Sequence, residues 1–115
     1  MAPVVTAFTC NDLASCVVEI DERFTLEFSF TDVNGNASSW HLTARRDDGT
    51  IFDLDQGPIS PPSGSGTIIR ISPGFGCPSG NCRTTVWQIR VMITDTTGLQ
   101  SQLATVDVTV LGAIP

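Results

Sequence analysis

The 115-residue chain contains no lysine, no tyrosine and a single histidine, His41. Each absence removes chemistry. Without lysine there is no Schiff-base nucleophile and no Walker-type phosphate loop, whose lysine reaches the phosphates. One histidine cannot form a multi-histidine metal site within a single chain. A Ser-His-Asp triad could draw on His41, but no Gly-x-Ser-x-Gly elbow presents a serine to it. Positive charge is scarce as well: six Arg stand against twelve Asp or Glu, a formal net charge of −6. Nucleic acid is therefore not an expected partner, because phosphate binding needs clustered Lys or Arg. No run of about 18 apolar residues occurs, so no membrane insertion is expected. These exclusions favour a non-enzymatic role.

The apolar fraction of 41% and charged fraction of 16% suit a chain that buries a core rather than a disordered one. The length fits one domain over residues 1–115, with Met1 read as an added initiator and no signal peptide behind it. Period-two alternation runs through the chain. Phe24, Leu26, Phe28 and Phe30 alternate with Thr25, Glu27, Ser29 and Thr31; Trp40, Leu42 and Ala44 alternate with His41, Thr43 and Arg45. Trp87, Ile89, Val91 and Ile93 alternate with Gln88, Arg90 and Met92, and Ala104, Val106, Val108 and Val110 with Thr105, Asp107 and Thr109. Such spacing puts apolar side chains on one face of a strand and polar ones on the other. Residues 4–9, 17–20, 51–54 and 67–72 are shorter strand candidates, and no helical period competes. Asn34-Gly35, Asp48-Gly49 and Gly98 mark turns. The expectation is an all-β, antiparallel sandwich of seven or eight strands with almost no helix.

Two segments read as loops. Residues 55–66 hold three prolines, three glycines and three serines, and residues 73–83 carry Pro73, Gly74, Gly76 and two cysteines. The four cysteines form two local pairs, Cys10 with Cys16 and Cys77 with Cys82. Three connectivities are possible; the turn composition inside each pair favours two local bridges. Zinc is the competing reading, but Cys10 and Cys16 lie farther apart than its ligand pairs usually do. Bridges imply an oxidising compartment, hence an extracellular or cell-surface location.

The stretch from Phe28 to Thr43, with its Asp32-Val33-Asn34-Gly35 turn between two strands, and the hairpin from Trp87 to Val110 resemble immunoglobulin-like repeats of bacterial surface and secreted proteins. Together they cover roughly a third of the chain. The Trp-Asp-Phe-Gly-Asp-Gly motif of polycystin-type repeats does not follow Trp40, and the cysteines do not occupy the mid-strand positions of antibody domains. The resemblance implies a sandwich and a spacer or adhesion role, with neighbouring domains or an extracellular protein as partners. It also implies that such turns sometimes hold calcium.

Several positions carry binding chemistry. Asp32, Asn34 and Asn36 could supply oxygens to calcium, with Asp47, Asp48, Asp53 and Asp55 around the next turn; the alternative is that Asp and Asn stand there as turn formers. No other cofactor is expected. Phe75 lies among glycines beside a cysteine, as a staple over the core or an anchor for a partner. With Asp55, Ser63 and Arg83 it belongs to the two segments expected to present contacts. Trp40 and Trp87 could stack on a sugar as part of a carbohydrate-binding accessory module, but both alternate in phase with core residues. Arg45-Arg46-Asp47-Asp48 reads as a charge-balanced turn. Glu27 and Asp107 could pair only if their strands share a sheet, and a flat sheet face gives such a pair no cleft.

Overall fold

The computed structural model describes residues 2–77 and 82–112. Among them there are eight strands and no helix: β1 (Val4–Cys10), β2 (Ser15–Glu19), β3 (Phe24–Thr31), β4 (Ala37–Arg46), β5 (Ile51–Ser63), β6 (Ser65–Ser72), β7 (Thr85–Asp95) and β8 (Ala104–Leu111). They form a three-stranded sheet in the order β1-β3-β6 and a five-stranded sheet in the order β2-β8-β7-β4-β5.

The alternating residues make the interior. Phe24, Leu26, Phe28 and Phe30 of β3 are buried, as are Trp40, Leu42 and Ala44 of β4, Trp87, Ile89, Val91 and Ile93 of β7, and Val106, Val108 and Val110 of β8. They form one cluster drawn from both sheets, with the Phe28 ring 5.7 Å from that of Trp40 across the interface. Each Val, Leu, Ile or Phe among them contributes about 1.5–3 kcal/mol relative to remaining exposed. Neither sheet could cover its own apolar face, which is why the two stack.

Two expectations need correction. First, the strands are not all antiparallel: β2 pairs with β8 in parallel, from Ser15 opposite Asp107 to Glu19 opposite Leu111. The N-terminal strand runs along β3 as β1, steps across to the other sheet at residues 11–14, and continues in the same direction as β2. Within the step Cys10 and Leu13 exchange backbone hydrogen bonds across a two-residue turn, at 2.8 and 2.9 Å, and the chain resumes its direction at Ser15 beside β8. Asn11 and Asp12 take left-handed φ values of 50° and 65° at the step, the conformation that Asn and Asp tolerate best. The Cys10–Cys16 bridge closes it.

Second, residues 55–66 are not a loop. Strand β5 continues through Pro58, Pro61 and Pro62 to Ser63, and β6 begins at Ser65 rather than Thr67. Proline is tolerated here because β5 is the outermost strand of its sheet, with one edge that owes no hydrogen bonds. Its pairing with β4 is also irregular: Ser39 lies opposite Pro58, whereas Ala37 lies opposite Ser63, so Pro61 and Pro62 fall in a bulge. Gly57 has its own reason. A Cβ there would lie 2.8 Å from Cζ2 of Trp40, so the indole occupies the space a side chain would need.

Candidate functional site

Two turns of the same design meet at one end of the sheets. Thr31-Asp32-Val33-Asn34-Gly35 follows β3, and Thr94-Asp95-Thr96-Thr97-Gly98 ends β7. In each, the Asp carbonyl accepts the glycine N–H three residues on, and the glycine has positive φ, 70° at Gly35 and 90° at Gly98. In each, Asp Oδ1 accepts the N–H two residues on, from Asn34 at 3.0 Å and from Thr97 at 2.8 Å. Asp95 Oδ1 also takes the Thr97 hydroxyl at 2.7 Å and the Leu99 N–H at 3.0 Å. The turns are tied together: Thr96 N–H donates to the Asn36 carbonyl at 3.0 Å, and Asn36 Nδ2 donates to Thr96 Oγ1 at 2.9 Å.

Asp32 stands two residues beyond inward-facing Phe30, and Asp95 two residues beyond inward-facing Ile93. Both side chains therefore enter the interior row of their sheets, and they are only 4% and 3% exposed. Of the three residues that the turn spacing suggested as a calcium set, Asp32 and Asn36 are brought together here, whereas Asn34 is exposed. Asp95 escaped the sequence reading. Its signal was the recurrence of Thr-Asp-x-x-Gly at residues 31–35 and 94–98.

The other acidic residues are dispersed. Asp53 pairs with His41 on the outer face at 3.0 Å. Asp55 holds Arg70 Nε at 2.7 Å, and that guanidinium lies 5.3 Å from the centre of the Trp40 ring. Asp55 and Ser63 thus lie on a strand; Ser63 Oγ donates to the Ser65 carbonyl at 2.7 Å. Glu27 and Asp107 lie on different sheets and cannot pair side by side.

The opposite end carries a second group. Arg83 grips Asp47 with both terminal nitrogens, at 2.9 and 3.0 Å, and Arg46 holds Asp48 at 2.7 Å. Phe75 stacks on Trp87 with ring centres 4.0 Å apart and planes 3° apart, and it also meets Phe24 at 5.6 Å. Arg46 lies over the rings of Phe52 and Trp87. Phe75 therefore has the geometry of a staple over the core's end. The bridge between Cys77 and Cys82 closes that loop, and residues 78–81 within it lie outside the described residues. Trp40 and Trp87, at 6% and 5% exposure, present no open face to a sugar ring. An open groove of about 620 Å³ on the outer face of the five-stranded sheet is lined by Ser39, His41, Gln56, Met92 and Gln100 among others. Among the described residues no cluster of three His, Cys, Asp or Glu side chains forms a metal cage.

Three carboxyls are held below the usual range. The Arg83 guanidinium lowers Asp47, that of Arg46 lowers Asp48, and the Thr97 hydroxyl with the Leu99 and Thr97 N–H groups lowers Asp95. A carboxyl more acidic in the fold than in the unfolded chain stabilises fully above the unfolded value of about 4, and that contribution is lost as pH falls through the folded value. The melting temperature should therefore be nearly constant from pH 7 to about 5 and fall below about pH 4. A melting temperature that rises on acidification would contradict these assignments. Among the described residues no helix is long and apolar enough to cross a membrane. No family model matches this chain, and no curated protein matches it in sequence.

Proposed function

We propose that this chain is a non-catalytic, immunoglobulin-like module of an extracellular protein, acting as a spacer that holds neighbouring domains or a protein partner apart and in register. The observation that carries the reading is the path of the chain. Strand β1 starts opposite Thr31, beside the Asp32 and Asp95 turns, and β8 ends opposite Glu19 at the far end. Tension applied along the molecule then falls on the parallel β2–β8 ladder in shear, across five residue pairs loaded together. The Cys10–Cys16 bridge passes that load from β1 to β2 without drawing out residues 11–14.

Further support comes from the plan of the sheets. A three-stranded layer faces a five-stranded one, and the N-terminal strand is shared between them, as in sandwiches of the immunoglobulin kind. The two local disulfides are consistent with an oxidising, extracellular setting. Because fold alone is a weak guide to function, the reading rests on the load path rather than on the likeness. Single-molecule stretching between the two ends of the domain tests it. The expected result is one all-or-none rupture, with stepwise extension of the N-terminal segment appearing only after reduction. Progressive unravelling at low force with both bridges intact would contradict the spacer role.

A further inference from the structure

Burying a carboxylate is costly unless its oxygens are paired, because the charged group gives up its water. Among the described residues, four buried side-chain oxygens have no hydrogen-bond partner, and three of them belong to the paired turns: Asp32 Oδ2, Asn36 Oδ1 and Asp95 Oδ2. The fourth, Thr9 Oγ1, belongs to β1. In each aspartate the other oxygen is committed to the turn, so the free oxygen is left without any donor. Asp32 enters from the three-stranded sheet and Asp95 from the five-stranded sheet, at the same end. Asn36 lies between them in the chain order of the turn and is bonded to Thr96, next to Asp95.

A cation shared by the two turns would give these buried oxygens the partner they lack. The available donors are all hard oxygens, two carboxylate and one carboxamide, with neither nitrogen nor sulfur. That set suits calcium, which accepts six to eight oxygens in irregular geometry and can complete its shell with main-chain carbonyls and water. Magnesium demands a regular octahedron and gives up its water reluctantly. We propose that the two turns form a calcium site, with Asp32 Oδ2, Asp95 Oδ2 and Asn36 Oδ1 as its side-chain ligands. The ion would pin the β3–β4 turn to the β7–β8 turn and stiffen the end of the module at which β1 begins.

The test is titration of the chelator-treated protein with calcium chloride, read by calorimetry, thermal melting and amide NMR shifts. The expected result is a single saturable site with a dissociation constant of about 0.1–1 mM, the range of extracellular calcium modules. The melting temperature should rise by about 5 °C or more at roughly ten times that constant. Magnesium at equal ionic strength should give a smaller shift. Amide resonances of residues 32–36 and 95–99 should move together. Asp32→Asn and Asp95→Asn should each weaken binding at least tenfold, and Asp107→Asn, on the outer sheet face, should not. Absence of saturable heat and of any melting shift at 10-fold higher calcium than that range would overturn the site. So would calcium shifts centred on Asp47 and Asp48, a result the unmodified protein alone can give if either variant fails to fold.

Discussion

Deleting residues 2–20 is expected to abolish cooperative folding. The deletion removes β1 and β2 together, and with them the buried Cys10, Cys16 and Val18 and the packing of Phe8 on Phe28. Lost burial alone amounts to about 5–10 kcal/mol. A small domain has only about 5–15 kcal/mol of stability in total. The damage extends beyond burial. Strand β3 becomes the edge of a two-stranded remnant and β8 becomes an edge of the other sheet, so two ladders lose their outer partners. Unprotected edges pair with other chains. The shortened protein should aggregate or show no melting transition by circular dichroism. A soluble monomer that melts at the temperature of the full chain would show that the N-terminal strand is not part of the fold's foundation.

Phe28→Ala should produce the largest effect of any single core substitution. The side chain is fully buried, meets Phe8 edge-on at 6.1 Å and lies 5.7 Å from Trp40 of the opposite sheet. Removing it deletes contacts within the three-stranded sheet and across the interface, and it leaves a cavity the two sheets cannot close without sliding. Truncations of this kind cost about 3–5 kcal/mol, or on the order of 10–20 °C in melting temperature for a domain of this length. Phe52→Ala, at a ring that is 42% exposed, should cost much less. Equal losses at the two positions, measured by urea denaturation, would mean that the interior has been placed on the wrong face.

The strands with the longest alternation were legible because one physical cause decides each position. In β3, β4, β7 and β8 the residues that repeat every second place are the buried ones, so the pattern alone gives face and core. Strand β5 was hidden because proline and glycine speak for turns locally, while what permits them here is a tertiary fact, the strand's outermost place in its sheet. The parallel β2–β8 pair was hidden for a similar reason: alternation says which face a strand buries, not which neighbour it takes. At the paired turns, Asp32 and Asn36 were visible as oxygen donors, but Asp95 lies 59 residues further on than Asn36 and reaches them only through the β4–β7 pairing. The local bridges followed from turn composition, and the Arg83 grip on Asp47, 36 residues away, did not.

The account depends most on the two sheets facing each other through the β3 and β4 side chains. A nuclear Overhauser spectrum of the folded protein tests that contact directly. Cross-peaks between the ring protons of Phe28 and the indole protons of Trp40 are the predicted result, given ring centres 5.7 Å apart. Strong Phe28 contacts to His41 or Thr43 in place of Trp40 and Leu42 would put the opposite face of β4 inside and contradict the fold, the paired turns and the load path together.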